Sequence, residues 1–129
     1  MELDSWGQPA RGLREYVRLV ASACGSGEAF SVRTERPLSG YIPLEERVAA
    51  FPELDVALVW DERTGWRSAL EPASGKELIT LSYLDTSLCP TPAEVAEFAA
   101  NPGAGAATPV RAEVDVLALL SEFAVVRLR

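Results

Sequence analysis

The reactive inventory of this chain is two cysteines, nineteen carboxylates and no histidine. Lack of histidine excludes Ser-His-Asp and Cys-His nucleophile pairs and removes the commonest metal ligand. Cys24 and Cys89 lie far apart and form no Cys-x-x-Cys or metal spacing. Cys24 falls on an apolar helical stripe, so a small buried hydrophobe is expected rather than a reactive thiol. Carboxylates fall together at Glu45–Glu46, Glu53/Asp55, Asp61–Glu62 and Glu94/Glu97. Neighbours on a strand point to opposite faces, so each group reads as solvated surface charge. Ser74-Gly75-Lys76 invites a phosphate-loop reading but fails its pattern. Leu70 stands where the first glycine is needed, and Glu77 where Ser or Thr is needed. Gly25-Ser26-Gly27 and Gly103-Ala104-Gly105 lack the strand-then-helix setting of a dinucleotide site. The expectation is therefore no catalytic residue, no metal and no cofactor, leaning away from an enzyme.

Aromatic and arginine residues carry more information. Trp60 and Trp66 flank one turn, with Arg63 at its tip and Arg67 just beyond. Indole and guanidinium groups stack, and both are enriched at binding hot spots. One reading is a recognition edge at this hairpin; the favoured alternative is that both rings cap the core at the end of a sheet. A rival reading places a ligand pocket between sheet and helices, lined by Trp60, Trp66, Tyr41 and Tyr83. An arginine such as Arg33 or Arg67 would fix an anion there. A second interface candidate is the apolar run Val114–Leu120, through Val114, Leu117 and Leu120. A helix apolar nearly all round is either buried centrally or pairs with another chain, as a homodimer or by capturing a partner.

The elements that must position these residues are legible from periodicity. Residues 1–10 read as an irregular arm anchored by Trp6. A helix is expected from Pro9 to about Cys24, with Leu13, Tyr16, Val17, Val20 and Cys24 on one stripe and Gly25 and Gly27 ending it. Ala29–Thr34 alternates as a strand. Gly40–Leu44 suits a short edge strand because Pro43 cannot donate to a ladder. Glu45–Ala50 suits a short helical turn. Asp55–Trp60 is apolar on both faces, as in a strand covered on both sides. The turn Asp61–Gly65 returns the chain as Trp66–Leu70, and Glu77–Leu84 follows as a further strand of an antiparallel meander. Thr91, Pro92 and Glu94 supply the N-cap, first-turn proline and capping box of a second helix. Asn101–Thr108 reads as a flexible link. The tail has strand-like alternation at its start but helix formers after Val116, and a helix over Arg111–Phe123 is favoured.

The 129 residues fit one domain able to bury a sizeable core without disulfides or metals. Net charge is −7, a poor match to nucleic acid and a better one to a basic protein partner. Eleven of twelve basic residues are arginine, a bias that suggests a GC-rich, actinobacterial genome. No apolar run reaches membrane-spanning length and the first residues lack a signal-peptide core, so the expectation is a cytoplasmic protein with no membrane partner.

The stretch Ala57-Leu58-Val59-Trp60-Asp61-Glu62-Arg63-Thr64-Gly65-Trp66-Arg67, followed by Pro90-Thr91-Pro92-Ala93-Glu94-Val95-Ala96, resembles a family of small actinobacterial proteins classed as a domain of unknown function. Tyr16-Val17-Arg18 in the first helix belongs to the same pattern, and the resemblance spans about residues 12–100. It implies one domain and no activity to carry over.

Together these readings predict an α+β fold. Its antiparallel sheet has about four strands, with the N-terminal and Pro-started helices on one face. Residues 1–100 are the core domain, 101–109 a link and 110–129 an apolar segment. The function expected is a non-catalytic interaction or regulatory module, of which an immunity or antagonist protein is one version. A small-molecule binder or enzyme is the alternative.

Overall fold

A computed structural model describes residues 3–73, 75, 77–110 and 115–128. The fold is α+β, in the order α1 (Leu3–Ala23), β1 (Ser31–Arg33), β2 (Ser39–Leu44), β3 (Asp55–Asp61), β4 (Gly65–Glu71), β5 (Ile79–Tyr83), α2 (Pro92–Ala100) and α3 (Val116–Leu128). The five strands form one antiparallel meander in chain order.

Helix α1 starts at Leu3, so the expected arm, Trp6 included, is helical and Pro9 lies inside the helix. Proline there removes one intrahelical bond, and burial of its ring offsets that loss. The C-terminus closes as expected on glycine. Gly25 takes φ +80°. Ser26 N–H donates to Ala21 O (2.8 Å) and Gly25 N–H to Ser22 O (3.1 Å), the paired bonds of a Schellman cap. Helix α2 has the anticipated Thr91–Glu94 capping box.

The sheet has five strands rather than about four, and β2, expected at an edge, is internal, lying between β1 and β3. Pro43 is tolerated because β1 pairs only with Ser39–Tyr41. Beyond it the Pro43 carbonyl accepts from Ser26 Oγ (3.0 Å) instead. No helical turn forms at Glu45–Ala50. Arg47 folds forward to Pro52 O (3.0 Å) and Asp55 (2.7 Å) and holds this segment as an irregular loop. Both sheet edges are blunted. Strand β1 has three residues, β5 carries a bulge opposite Ser68/Ala69, and Tyr83 is bridged to Ala106.

The inner face of the sheet presents Ile42, Val56, Leu58, Trp60, Trp66 and Leu70 to α1. Two glycines set how closely α1 approaches. A Cβ on Gly40 would lie 2.8 Å from Val17 Cγ2, and a Cβ on Gly12 would lie 1.6 Å from Leu120 O. Helix α3 packs chiefly on α1, and Leu120 is fully buried there. The segment expected to be a flexible link is also tied down. Pro102 O accepts from Ser68 Oγ and from Ser82 Oγ (2.7 Å), and Ala106 and Tyr83 exchange two backbone bonds of 2.8 Å.

Gly12→Ala places a methyl inside the Leu120 peptide group, so α1 and α3 must separate. Hydrogen exchange is expected to show α3 amides losing protection while β3 and β4 keep theirs. Unchanged α3 protection would show that the helix crossing does not depend on this glycine.

Candidate functional site

Register sorts the residues named from sequence onto two faces. Gly40, Trp60 and Trp66 form one row across β2, β3 and β4 on the inner face. Tyr41, Val59, Arg67 and Tyr83 form the neighbouring row, which points outward. Strand residues one apart take opposite sides, so a single pocket cannot hold both rows. The pocket expected between sheet and helices, lined by Trp60, Trp66, Tyr41 and Tyr83, is therefore not formed. Its space is filled by Tyr16, Val17 and Val20 of α1.

Trp60 and Trp66 are both 0% exposed, which overturns the recognition-edge reading for these two rings. A buried indole needs an acceptor for its N–H. Trp60 Nε1 donates to Leu88 O (2.7 Å) and Trp66 Nε1 to the Tyr16 hydroxyl (3.1 Å). Tyr16 in turn donates to Pro90 O (2.5 Å). The pair thus joins the hairpin to α1 and to the loop entering α2. The Tyr16 ring also packs on Phe123 of α3, with centroids 4.8 Å apart. Burial drives the Tyr16 phenol well above its usual range, so it stays protonated and keeps donating.

The hairpin tip holds a second clamp. Glu62 accepts from two Arg36 nitrogens and from Leu38 N–H (2.7 Å). The Arg36 bonds chiefly, then the Leu38 amide, hold its carboxyl below the ordinary value of 4.5. Burial raises the Cys89 thiol to about 12. Burial first, then the Glu46 charge, raises Cys24 to about 11. Both cysteines are free and half-buried, and such thiols are protonated and unreactive at neutral pH. Among the described residues no three Cys, Asp or Glu side chains gather as a metal site.

Two open grooves collect polar groups that the core does not use. The outer-face groove, about 570 Å³, brings Arg63, Arg67 and Tyr83 together with Ser39, Asp61 and Thr80. Tyr41 stands one strand away, its hydroxyl bonded to Glu71 (2.6 Å) across Ala57. Burial, then Glu71, raises that phenol to about 12. The other groove, about 500 Å³, lies between the end of β5 and α2. Asp85, Glu94 and Glu97 line it, with Phe98 and Asn101, and among the described residues no basic one does. Tyr83 borders both. Of the tail candidates, Leu120 is spent inside the chain and Leu117 is half-buried. Val114 lies outside the described residues.

Sequence reading missed Tyr16 as a polar junction, the Glu62 clamp, and Ser68 and Ser82, which face inward and share the Pro102 carbonyl. The signal for the serines was present: a hydroxyl at an inward strand position implies a buried acceptor.

A family of unknown function, DUF6292, matches residues 16–101, two thirds of the chain. The matched span begins at Tyr16 and holds the whole Trp66–Tyr16–Pro90 junction; α3 lies outside it. No curated protein and no solved structure matches.

Tyr16→Phe leaves the Trp66 N–H and the Pro90 carbonyl without their shared hydroxyl. A loss of about 1–3 kcal/mol is expected in urea unfolding. Glu62 stabilises the fold above its unfolded pKa, and that contribution disappears as pH falls through its depressed folded value. Below pH 4.5 the wild type should therefore lose stability more steeply than Glu62→Gln. Parallel pH profiles would remove Glu62 as a source of that acid sensitivity.

Proposed function

The chain belongs to the DUF6292 family, which supplies no chemistry to transfer, and we propose from its geometry that it is a non-catalytic interaction or regulatory module. One observation carries this reading. Tyr16 and Glu62 are spent on scaffold, and burial holds both thiols protonated. The groups left facing open grooves are charges suited to holding a partner. The groove between β5 and α2 supports a basic protein partner, since three carboxylates line it with no basic residue among the described ones, in a chain of net charge −7. An immunity or antagonist protein is one form such a module takes.

An actinobacterial source is inferred from the near-exclusive use of arginine. The Trp60-Asp61-Glu62-Arg63-Thr64-Gly65-Trp66 hairpin is proposed as the family's marker, because its rings and Glu62 anchor three separate segments. No helix among the described residues is long and apolar enough to cross a membrane, and the cytoplasm is the location proposed.

The reading is tested by affinity capture from an actinobacterial lysate with the wild type and with an Asp85→Lys/Glu97→Lys variant. A partner retained by the wild type and lost both on charge reversal and at high salt is the expected result. A wild type that retains nothing the variant loses would remove the acidic groove from the proposal.

A further inference from the structure

We propose that the outer face of the sheet carries a second, separate binding site, for a small organic oxyanion, built on Arg67 and Arg63 beside Tyr83. The two guanidiniums line the same groove. Arg33 stands at its margin, in register opposite Ser39, which is itself in the lining. In an acidic protein, arginines left without a carboxylate are notable, and these three have none within 4 Å among the described residues. Arg18, Arg36 and Arg47 each hold one.

Arg67 is also pre-positioned. Its Nη1 donates to Thr80 Oγ1 (2.8 Å), which holds the head group over β5. Among the described residues Asp61 is the one carboxylate in the lining, and its Oδ1 accepts from the Arg63 backbone N–H (2.7 Å). The turn that presents the Arg63 side chain is thereby braced. Hydroxyls of Ser39, Thr64 and Thr80 add neutral donors around the cations.

This donor set selects the ligand chemistry. Forked guanidiniums favour planar or tetrahedral oxyanions with two or more acceptor oxygens. A groove of about 570 Å³ is far larger than a bare phosphate, and Tyr83, Val59 and Leu78 give it an apolar wall. The ligand is therefore an oxyanion on an organic body, with the body against the Tyr83 side and the charge at Arg67 and Arg63. Phosphate esters and carboxylates share this chemistry. The proposal does not depend on the acidic groove on the other side of Tyr83.

Amide chemical shifts of the full chain distinguish the outcomes, with phenyl phosphate, benzoate and inorganic phosphate as probes. Phenyl phosphate is expected to move the Thr64, Arg67, Thr80 and Tyr83 amides saturably, and to bind at least about fivefold tighter than inorganic phosphate. Arg67→Ala should weaken it about tenfold or more, with Arg67→Lys between, because a lysine keeps charge but loses the fork. Arg63→Ala, at an exposed turn tip, is the second variant and should weaken binding in a chain of unchanged stability. Arg14→Ala, an exposed arginine on α1, should leave it unchanged, as should Asp85→Lys/Glu97→Lys. Saturable binding of benzoate as well assigns the site to oxyanions generally, and its absence assigns it to phosphate esters. The proposal is overturned if no probe gives saturable shifts up to about 10 mM, or if Arg14→Ala weakens binding as much as Arg67→Ala.

Discussion

Two indole N–H groups at the centre of the molecule must find acceptors, and the rest of the fold is arranged around that requirement. Trp60 and Trp66 face each other across β3 and β4 with no exposure to solvent. The nearest inward hydroxyl on these strands, Ser68, is already spent on the Pro102 carbonyl. The acceptors come from outside, as the Leu88 carbonyl and the Tyr16 hydroxyl. The loop before α2 is thereby fixed to the hairpin, and α1 is fixed in rotation, because only one face of it offers Tyr16. A buried polar group left unpaired costs more than the bond itself contributes. The junction therefore acts more as a constraint on alternative packings than as a source of net stability.

Close approach is the second condition. Helix α1 reaches this position only because Gly40 leaves room for Val17 and Gly12 leaves room for the Leu120 carbonyl. Phe123 then closes over the Tyr16 ring. Helix α3 is apolar around its circumference and would be a poor surface helix. Docked on α1, it shields Tyr16, and Asp115 caps its start by accepting from Leu117 and Ala118 N–H (3.1 and 3.3 Å). That cap explains why the tail, whose early alternation also suited a strand, is helical from Val116.

Local signals were legible where a short segment determines its own state. The hairpin, the Gly25 cap and the Thr91–Glu94 box all appear where glycine, proline and cap chemistry placed them. What the sequence hid depends on pairing between distant segments. Pro43 argued for an edge strand, yet β2 is internal because β1 stops before reaching it. Trp60 and Trp66 looked available beside two arginines, but the two-residue period of a strand sends Arg67 outward and Trp66 inward. Tyr83 and Arg67 could be named individually. That they meet Arg63 and Ser39 in one groove follows only from the five-strand register.

The division of labour between the two faces follows from the same register. The inner face spends its polar groups on closure, down to Ser68 and Ser82 sharing the Pro102 carbonyl. Among the described residues no helix covers the outer face, and its polar groups are only partly consumed. Tyr41 reaches Glu71 across Ala57, and Arg67 reaches Thr80 beside Ala69. Small residues at 57 and 69 let those long side chains lie flat and cover the strands. This braces the arginine without neutralising it. A hydroxyl leaves an arginine's charge unbalanced, whereas a carboxylate, as Glu62 does for Arg36, supplies the opposing charge. The distinction marks Arg36 as scaffold and leaves Arg67 available for an incoming anion.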